Sequence, residues 1–505
     1  MAMSSSHSGC GYRVNWTLPA SPAKRTCPEV CALTRLLQLE QAQHPQQLEP
    51  DAPGVTKANM DMDGLLSLWA LGATTERFDE FYADHCLRFP ASKTPDLERL
   101  SETGTTPLSE PPAVVAQRLL MTLPDGAWDK HLGHGPSLIE RRKHFEEYRS
   151  FFAGLLRTYG IRATLSRYLP RLITGIAGAP LCHIAHLGLA LEAHHRAGGY
   201  FEGPIMVNSE EQQQQQESGD SLGMVLIPEA LAHLCDSYTP MELPSLQEQT
   251  LSSSSAAAYA TTSPSPSPSS LPLQPLDIIV QLTTSPALAD LFASKAFAHS
   301  NFVHRLTMVR QLKGDVLTKY ATMWPRVEDV HWDSHQRDID PVVEEPVDKN
   351  VYACARLLVE TAVKVFYSTG CRDAVLLEAI TACYGMKNCL GMLISSTEQL
   401  RLVQATWIAF MATYLAQGRR APDLQLLDVF ERFPEGASRI DDAEHQHSWQ
   451  AIADQAVARK NLPTRVYEAV HCLREISYEW DQSTRLFIEA AHAVLDLASS
   501  MEEPK

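Results

Sequence analysis

Two histidines near the middle of the chain, His183 and His186, stand three residues apart in a run of apolar residues. Residues three apart in an α-helix lie on the same face, so both imidazoles point to one place and can share a metal ion. A carboxylate from elsewhere in the chain would complete the two-histidine, one-carboxylate set that suits non-haem iron. Without a metal, a histidine beside carboxylates can act as a general base near neutral pH.

The same residues also have a structural interpretation. His183 and His186 can be hydrogen-bonded core histidines beside an apolar pocket. Glu378 lies in the apolar run 375–380. A carboxylate there needs a partner or stays protonated with a raised pKa, unless its helix position faces solvent. The residues alone leave both interpretations open.

Four other histidines and one lysine give weaker signals. His194 and His195 precede an arginine at the edge of a loop and are predicted to be solvated. His445 and His447 lie in a stretch predicted to be an acidic loop, with the same expectation. Lys387 lies in an apolar run, where it is either a functional amine or a side chain that reaches from the helix to water.

Several cofactor and nucleophile signatures are absent from the sequence. It contains no G-x-G-x-x-G loop, and the glycine-rich segment 175–178 has the wrong spacing for one. It also contains no Walker A loop, no H-E-x-x-H and no G-x-S-x-G. A Rossmann-type dinucleotide site, a P-loop, a zincin site and a hydrolase nucleophile elbow are therefore excluded.

The charge of the chain limits the classes of partner. It has 43 Lys and Arg residues against 60 Asp and Glu residues, a net charge of −17. An acidic surface opposes contact with nucleic-acid phosphates and anionic membranes. The longest apolar run, 172–191, is interrupted by two histidines and is not predicted to span a membrane. We therefore expect no nucleic-acid partner and no membrane partner, and the sequence leaves the oligomeric state unknown.

The cysteines and the N-terminus bear on the compartment. The eleven cysteines are irregularly spaced, which argues against a disulfide framework and favours a reducing, cytoplasmic location. The first 28 residues contain Arg13, Lys24 and Arg25 but no acidic residue, as in a transit peptide. A disordered tail is the other interpretation of this segment.

Apolar residues recur with helical spacing through most of the chain. Clear helical faces occur in 148–159, where Gly160 is expected to end the helix, and again in 351–365 and 486–497. Only 277–282 has the alternation that hints at a strand. The sequence therefore predicts an all-α protein with a single helical domain over residues 57–500.

Two segments of biased composition interrupt this pattern. Residues 1–56 are rich in Ser, Pro and Gln and are predicted to form a disordered tail. Residues 198–275 contain the glutamine run 212–216 and the Ser-Pro repeat 263–270, and are predicted to be a mostly disordered insertion within the domain. Inside this insertion, Pro228 is predicted to stand at the first position of a short helix.

The most informative segment is 151–192, FFAGLLRTYGIRATLSRYLPRLITGIAGAPLCHIAHLGLALE. It resembles the questin oxidase-like family, whose pattern has a paired Phe, a G-I-x-A-T-L-x-x-Y-L-P run, a P-G-I-x-G turn and an I-H-L-G helix. Further matches keep the family's order along the chain: LWALGA at 68–73, PEALA at 228–232, LLEAIT at 376–381 and a late helix at 466–473.

This resemblance implies an oxidoreductase of secondary metabolism. Family members oxidise polycyclic aromatic ketones of polyketide type, by a Baeyer–Villiger-like monooxygenation that needs NADPH or by dioxygenation at non-haem iron. The iron site of the family uses several histidines and a carbamylated lysine. The resemblance therefore implies an aromatic small-molecule substrate, with NADPH, non-haem iron or both as cofactors.

Only some of the family's site residues are present at the matching positions of this sequence. His186 matches the histidine of the I-H-L-G motif. At the other family positions this chain has different residues: Cys182 and Met60 replace two histidines, Glu378 and Arg465 replace two more, and Glu468 replaces the lysine. A four-histidine iron site cannot be assembled from these residues.

Two hypotheses about function remain open on this basis. In the first, His186, His183, Glu378 and Glu468 are the catalytic residues and candidate metal ligands of an oxidoreductase. In the second, the chain is a non-catalytic helical binding or scaffold protein that kept the fold and lost the metal. The first hypothesis predicts that these side chains converge in space, although they are far apart in the sequence.

Overall fold

A computed structural model provides the structure of the protein. It describes residues 27–43, 57–88, 132–133, 138–177, 181–199, 201, 210–243, 274–324, 347–371, 373–418, 420–428, 442–460, 462–479 and 484–502. Throughout these ranges the regular elements are helices, and no strand is present. The predicted all-α class is confirmed.

The helices of the N-terminal half are α1 Cys27–Gln43, α2 Lys57–Leu71, α3 Thr75–Arg88, α4 Leu138–Tyr159, α5 Ile161–Ile176, α6 Cys182–Arg196 and α7 Glu210–Asp236. Those that follow are α8 Pro275–Thr284, α9 Ala289–Ala293, α10 Lys295–His299, α11 Phe302–Ala321, α12 Lys349–Ser368, α13 Ala374–Leu390, α14 Ser396–Ala416, α15 Asp442–Ala458, α16 Thr464–Glu479 and α17 Thr484–Glu502. Short 3₁₀ turns occur at Pro286–Leu288 and Leu424–Leu426.

Local sequence signals explain where several of these helices begin. Asp348, Asp373 and Ser395 cap α12, α13 and α14, because each side chain accepts a hydrogen bond from a backbone N–H of the first turn. Gly160 ends α4 as predicted, with a φ of 84° that favours glycine. The predicted helices over 148–159, 351–365 and 486–497 are therefore confirmed.

Helix α6 lies at the centre of the bundle and packs most extensively on α13 and α7, with a smaller contact to α2. Helix α16 packs on both α2 and α13. The crossing of α6 and α13 is very close at Gly188 and Gly385, where a Cβ on Gly188 would lie 2.1 Å from the Cα of Gly385. Only glycine permits this approach, which sets the spacing of α6 and α13 two residues after His186.

The predicted disorder of residues 1–56 is wrong for α1. Leu33 and Leu37 are fully buried on this helix, and α1 packs on α2, α3 and α7. Its apolar spacing, hidden in a segment of polar composition, supplies enough buried surface to order the helix. The remainder of 1–56 lies outside the described residues.

The predicted disorder of 198–275 is likewise wrong for the first part of α7, residues 210–227, whereas the segment predicted as a short helix from Pro228 onward is helical. This helix runs from Glu210 through Pro228 to Asp236, so Pro228 lies inside the helix and does not begin it. Gln and Glu favour helices, and the second half of α7 packs its apolar residues against α4 and α6. The Ser-Pro repeat 263–270 lies outside the described residues.

Two further expectations are corrected. Residues 277–282 are helical in α8, where Ile278, Ile279 and Leu282 form a buried face and Pro275 stands in the first turn. The predicted acidic loop that includes His445 becomes helix from Asp442 onward. In both places helical spacing of the buried residues outweighs the local composition.

Among the described helices, none is by itself long and apolar enough to cross a bilayer. One pair, Pro275–Thr284 with Pro286–Ala293, passes by length and composition together but is bent by 57°.

Candidate active site

The candidate site is centred on a hydrogen bond between α2 and α6. Nδ1 of His186 lies 2.5 Å from Oδ1 of Asp63, and the two side chains are only 3% and 8% exposed. The ring N–H donates and the carboxylate accepts. This bond fixes the orientation of the imidazole and leaves its Nε2 atom for chemistry.

Nε2 of His186 is buried and has no hydrogen-bond partner among the residues that the structure describes. Leaving a buried polar atom unpaired costs about 1–3 kcal/mol. Most buried polar side-chain atoms in folded proteins do have a partner, so this nitrogen is open to a partner that a bound molecule would supply. Nε2 is therefore the atom at which this site can accept a proton or a ligand.

The protonation of His186 depends on the carboxylates around it. Burial lowers its pKa, but the charge of Asp63, the hydrogen bond to Asp63 and the charge of Glu229 act in the opposite direction. Together they outweigh burial, so the pKa of His186 lies above its ordinary value of 6.5. His186 consequently binds a proton more readily than an exposed histidine does.

Two further imidazoles adjoin His186. His233, on α7, stacks on His183 with ring centroids 5.6 Å apart, and meets the ring of His186 edge to face at 6.0 Å. The ring of Phe145, on α4, lies 4.6 Å from that of His233. His183, His186 and His233 form a histidine cluster at the junction of α6 and α7.

His233 differs from His186 in its affinity for protons. Burial lowers the pKa of His233 well below its ordinary value, and the positive charges of His183, His186 and Arg149 lower it further. His233 therefore binds a proton less readily than His186 does. Neighbouring groups with pKa values pushed apart are typical of sites that use one group as an acid and another as a base.

Glu378 on α13 and Glu468 on α16 act electrostatically on Cys182, in the first turn of α6. Burial raises the pKa of the Cys182 thiol well above its usual range, and the charges of Glu378, Asp63 and Glu468 raise it while that of Arg465 lowers it. Glu378, Arg465 and Glu468 therefore lie within electrostatic range of this turn, while the predicted convergence of Glu378 and Glu468 on His186 stays a prediction. His183 and His186 lie on this same stretch of helix.

Glu378 has a partner in Arg465, with which it forms an ion pair between α13 and α16. Burial raises the pKa of Glu378, and the positive charge of Arg465 offsets this only in part. A buried carboxylate at position 378 was predicted to need a partner, and Arg465 is that partner. Glu468 is buried on the next turn of α16.

The donor groups of this site do not fit the iron that the resemblance implies. In the described part of the chain, no three His, Cys, Asp or Glu side chains are arranged to hold a metal ion. His183 and His233 are stacked with an interplanar angle of 7°, so their nitrogen lone pairs do not converge. Glu378 is engaged by a guanidinium. His186 therefore offers a single nitrogen without a complementary set of ligands.

The site is also unsuited to the pyrophosphate of NADPH. Phosphate groups are bound by cationic side chains or by helix N-termini. Here the carboxylates of Asp63 and Glu229 act on His186, and the guanidinium of Arg465 already pairs with Glu378. This charge balance opposes a dinucleotide phosphate at the cluster.

Two of the histidines predicted to be solvated are buried. The ring of His194 lies between Gly199 and Gly223, so close that a Cβ on either glycine would overlap it. His445 is hydrogen-bonded to Ser477 through Nε2 at 2.8 Å. His195 is half-buried, and His447 is exposed as predicted.

Lys387 is buried. Of its two interpretations, the one in which the side chain reaches from the helix to water is therefore wrong. It forms an ion pair with Glu479 and lies 4.8 Å above the ring of Tyr384. Nearby, Arg196 bridges Glu192 and Glu475, with N–O distances of 2.5 Å to each. These side chains form a second, charge-compensated region of the core along α6, α13 and α16.

Asp63, Glu229 and His233 were not among the site residues expected from the sequence. Asp63 lies inside the apolar helical run Met62–Leu71, so the argument applied to Glu378, a carboxylate among apolar residues, applies to it as well. His233 follows the PEALA match directly. Nothing in the spacing of either residue indicates contact with His186.

Taken together, these contacts describe a buried imidazole that is oriented by a carboxylate and adjoined by a neutral histidine. Such an arrangement can remove a proton from a bound hydroxyl group and return it during one reaction cycle. Its ability to do so does not depend on a metal ion.

Comparison with known proteins assigns the chain to a family. No curated protein and no solved structure is significantly similar to it. A family model described as questin oxidase-like matches residues 62–463, which is most of the chain; the match covers Asp63, His186 and Glu378 and ends just before α16, the helix of Arg465 and Glu468. At the level of the family, this match supports an oxidoreductase of secondary metabolism. The chain belongs to the questin oxidase-like family.

Proposed function

We propose that this protein oxidises a polycyclic aromatic ketone of polyketide type and that His186 transfers the proton in the reaction. The observation that carries the proposal is the hydrogen bond between Asp63 and His186, which leaves a buried imidazole nitrogen without a partner in the described part of the chain. Family membership supports the oxidative character of the reaction.

The proposed reaction begins with a phenolic or enolic hydroxyl group of the substrate. Nε2 of His186 accepts the hydroxyl proton, and the Asp63 carboxylate stabilises the imidazolium that forms. The substrate anion is rich in electrons at the carbon atoms ortho and para to its oxygen. One of these carbons forms a C–O bond with O₂ and transfers two electrons to it, which gives a peroxide anion. His186 then returns its proton to the terminal oxygen, and the product is a hydroperoxide.

This sequence balances without an external reductant, because O₂ receives its electrons from the substrate and both oxygen atoms stay in the product. A Baeyer–Villiger insertion differs in a measurable way: one oxygen atom enters the product, the other leaves as water, and NADPH supplies two electrons. The negative charge beside His186 favours the first stoichiometry, since the carboxylates of Asp63 and Glu229 oppose a dinucleotide phosphate there.

The test is oxygen consumption with a panel of hydroxylated anthraquinones, with and without NADPH, followed by mass spectrometry of products formed under ¹⁸O₂. We expect turnover without NADPH and two labelled oxygen atoms per product. Turnover that requires NADPH and incorporates one label would contradict the proposed route while leaving an oxidoreductase.

The second candidate is a non-catalytic helical binding or scaffold protein. The ion pair between Glu378 and Arg465 favours it, because two positions that hold histidines in the family pattern are committed here to each other. For this candidate, calorimetry would detect binding of an anthraquinone from the panel, but oxygen consumption would not rise above that of buffer with any of them.

A further inference from the structure

The ion pair between Glu378 and Arg465 lies inside the candidate site. The Glu378 side chain is 9% exposed and the Arg465 side chain 22%, so water screens the pair only weakly. Both residues act electrostatically on the Cys182 thiol, which lies one helical turn before His186 on α6. The pair therefore joins α13 to α16 directly beside the histidine cluster.

A guanidinium in this place has definite chemical consequences. Arginine stays protonated at all accessible pH values and offers only donors, so it cannot serve as a metal ligand. By pairing with Glu378, it also engages one carboxylate oxygen that a metal could otherwise bind. The positive charge of Arg465 is balanced by Glu378, in a region where the carboxylates of Asp63 and Glu468 also act on Cys182.

We infer that this protein works without a bound transition metal, and that the Glu378–Arg465 ion pair occupies the position of two of the missing ligands. Two substitutions at positions 378 and 465 have thus compensated each other, since either one alone would leave a charged group in the core without its partner. The inference rests on the proposed function for the role of the site, but its test needs no substrate.

The test is a titration with Co²⁺, whose visible absorption reports the coordination of the ion, followed by dialysis and a metal count. The full 505-residue chain is used, purified without chelators and also assayed for iron. We expect no saturable Co²⁺ binding and substoichiometric iron in the wild-type protein. One tightly bound metal ion per wild-type chain would overturn the inference, whatever the outcome of any activity assay.

The Glu378→His/Arg465→His double variant tests the role of the pair. It replaces the ion pair by two imidazoles, one on α13 and one on α16, so we expect it to show the saturable Co²⁺ binding that the wild type lacks. Glu378→Gln/Arg465→Gln is the matched control, because it removes the same charges without adding imidazoles, and it is expected to bind no more Co²⁺ than the wild type.

Circular dichroism and melting temperature establish that both double variants are folded. A folded histidine variant that binds Co²⁺ no better than the glutamine variant would show that the pair does not occupy a metal position. Should neither double variant fold, the wild-type titration still decides whether the site binds metal. Failure of the proposed function would appear separately, as an absence of oxygen consumption in a protein with the expected metal content.

Discussion

His186 and Asp63 are 123 positions apart in the sequence, yet their side chains meet at 2.5 Å in the core, on α6 and α2. His186 matches the histidine of the family's I-H-L-G motif. Asp63, its hydrogen-bond partner, was not among the site residues that the resemblance implied. Because the bond engages Nδ1, it determines which nitrogen of His186 is available for chemistry. The predictions below begin with the consequences of this bond.

The Asp63–His186 pair should make folding stability depend on pH. The pKa of His186 is raised in the folded protein above its ordinary 6.5, so the pair stabilises the fold fully below pH 6.5. This contribution is lost as pH rises through the raised pKa. Urea unfolding at a series of pH values measures the effect, and His186→Gln should remove this component of the pH dependence. Identical pH profiles for wild type and variant would contradict the assignment.

The same pKa governs activity in the proposed reaction. His186 must be neutral to accept the substrate proton, so kcat/KM should increase as pH rises through the raised pKa of the free enzyme. Asp63→Asn removes the charge that raises this pKa, and we expect the midpoint of the profile to move to lower pH while the maximal rate falls. A variant with an unshifted midpoint would show that Asp63 does not control His186.

The close crossing of α6 and α13 should be sensitive to a single methyl group. Alanine at Gly188 would place its Cβ 2.1 Å from the Cα of Gly385, so the helices must separate. We expect Gly188→Ala to cost about 1–3 kcal/mol of unfolding free energy, and to lower activity because His186 lies two residues away. Gly391→Ala is the control, since its Cβ meets nothing within 4 Å and its φ is −65°. Equal effects of the two substitutions on chemical unfolding would refute this account of the crossing.

The bridge that Arg196 forms should matter for stability and not for the proposed chemistry. Burial raises the pKa of Glu475, but the charges of Arg196 and Arg474 outweigh the effect of burial and lower this pKa to about 2. Arg196→Met leaves the carboxylates of Glu192 and Glu475 buried without this partner, which should cost about 3–5 kcal/mol. Lys460→Ala breaks a pair whose side chains are 68% and 47% exposed and should cost less than about 1 kcal/mol. Thermal and urea unfolding of both variants distinguish the two cases.

Helical periodicity was sufficient to predict the all-α class and the course of helices such as α4 and α12. The prediction was wrong where composition and periodicity disagree. The glutamine-rich first half of α7 was predicted to be disordered from its composition, but it is helical and continuous with the apolar face that begins at Leu222. Segment composition describes an average, whereas order depends on the few residues that reach the core. The helix α1 was missed for the same reason.

The site was predictable only in part. Sequence spacing indicates which residues share a face of one helix, but it does not indicate which residues of different helices come into contact. His183 and His186 share a helix, and their common face follows from their spacing. Contacts of His186 with Asp63 and His233 depend on how α2 and α7 pack on α6, which no local pattern encodes. The partner of Glu378 was required by physical chemistry, but its identity as Arg465 emerges only from the packing of α13 and α16.

The central claim is that His186, oriented by Asp63, transfers the proton during turnover. Its most direct test is the rate of oxygen consumption per folded molecule of His186→Gln, with His299→Gln, a substitution of an exposed histidine, as the control. We expect His299→Gln to keep the wild-type rate and His186→Gln to lose about 10²- to 10⁴-fold in kcat, the usual contribution of a general base. A folded His186→Gln protein that retains the wild-type rate, even with a lower melting temperature, would show that His186 is a structural residue and would contradict the account.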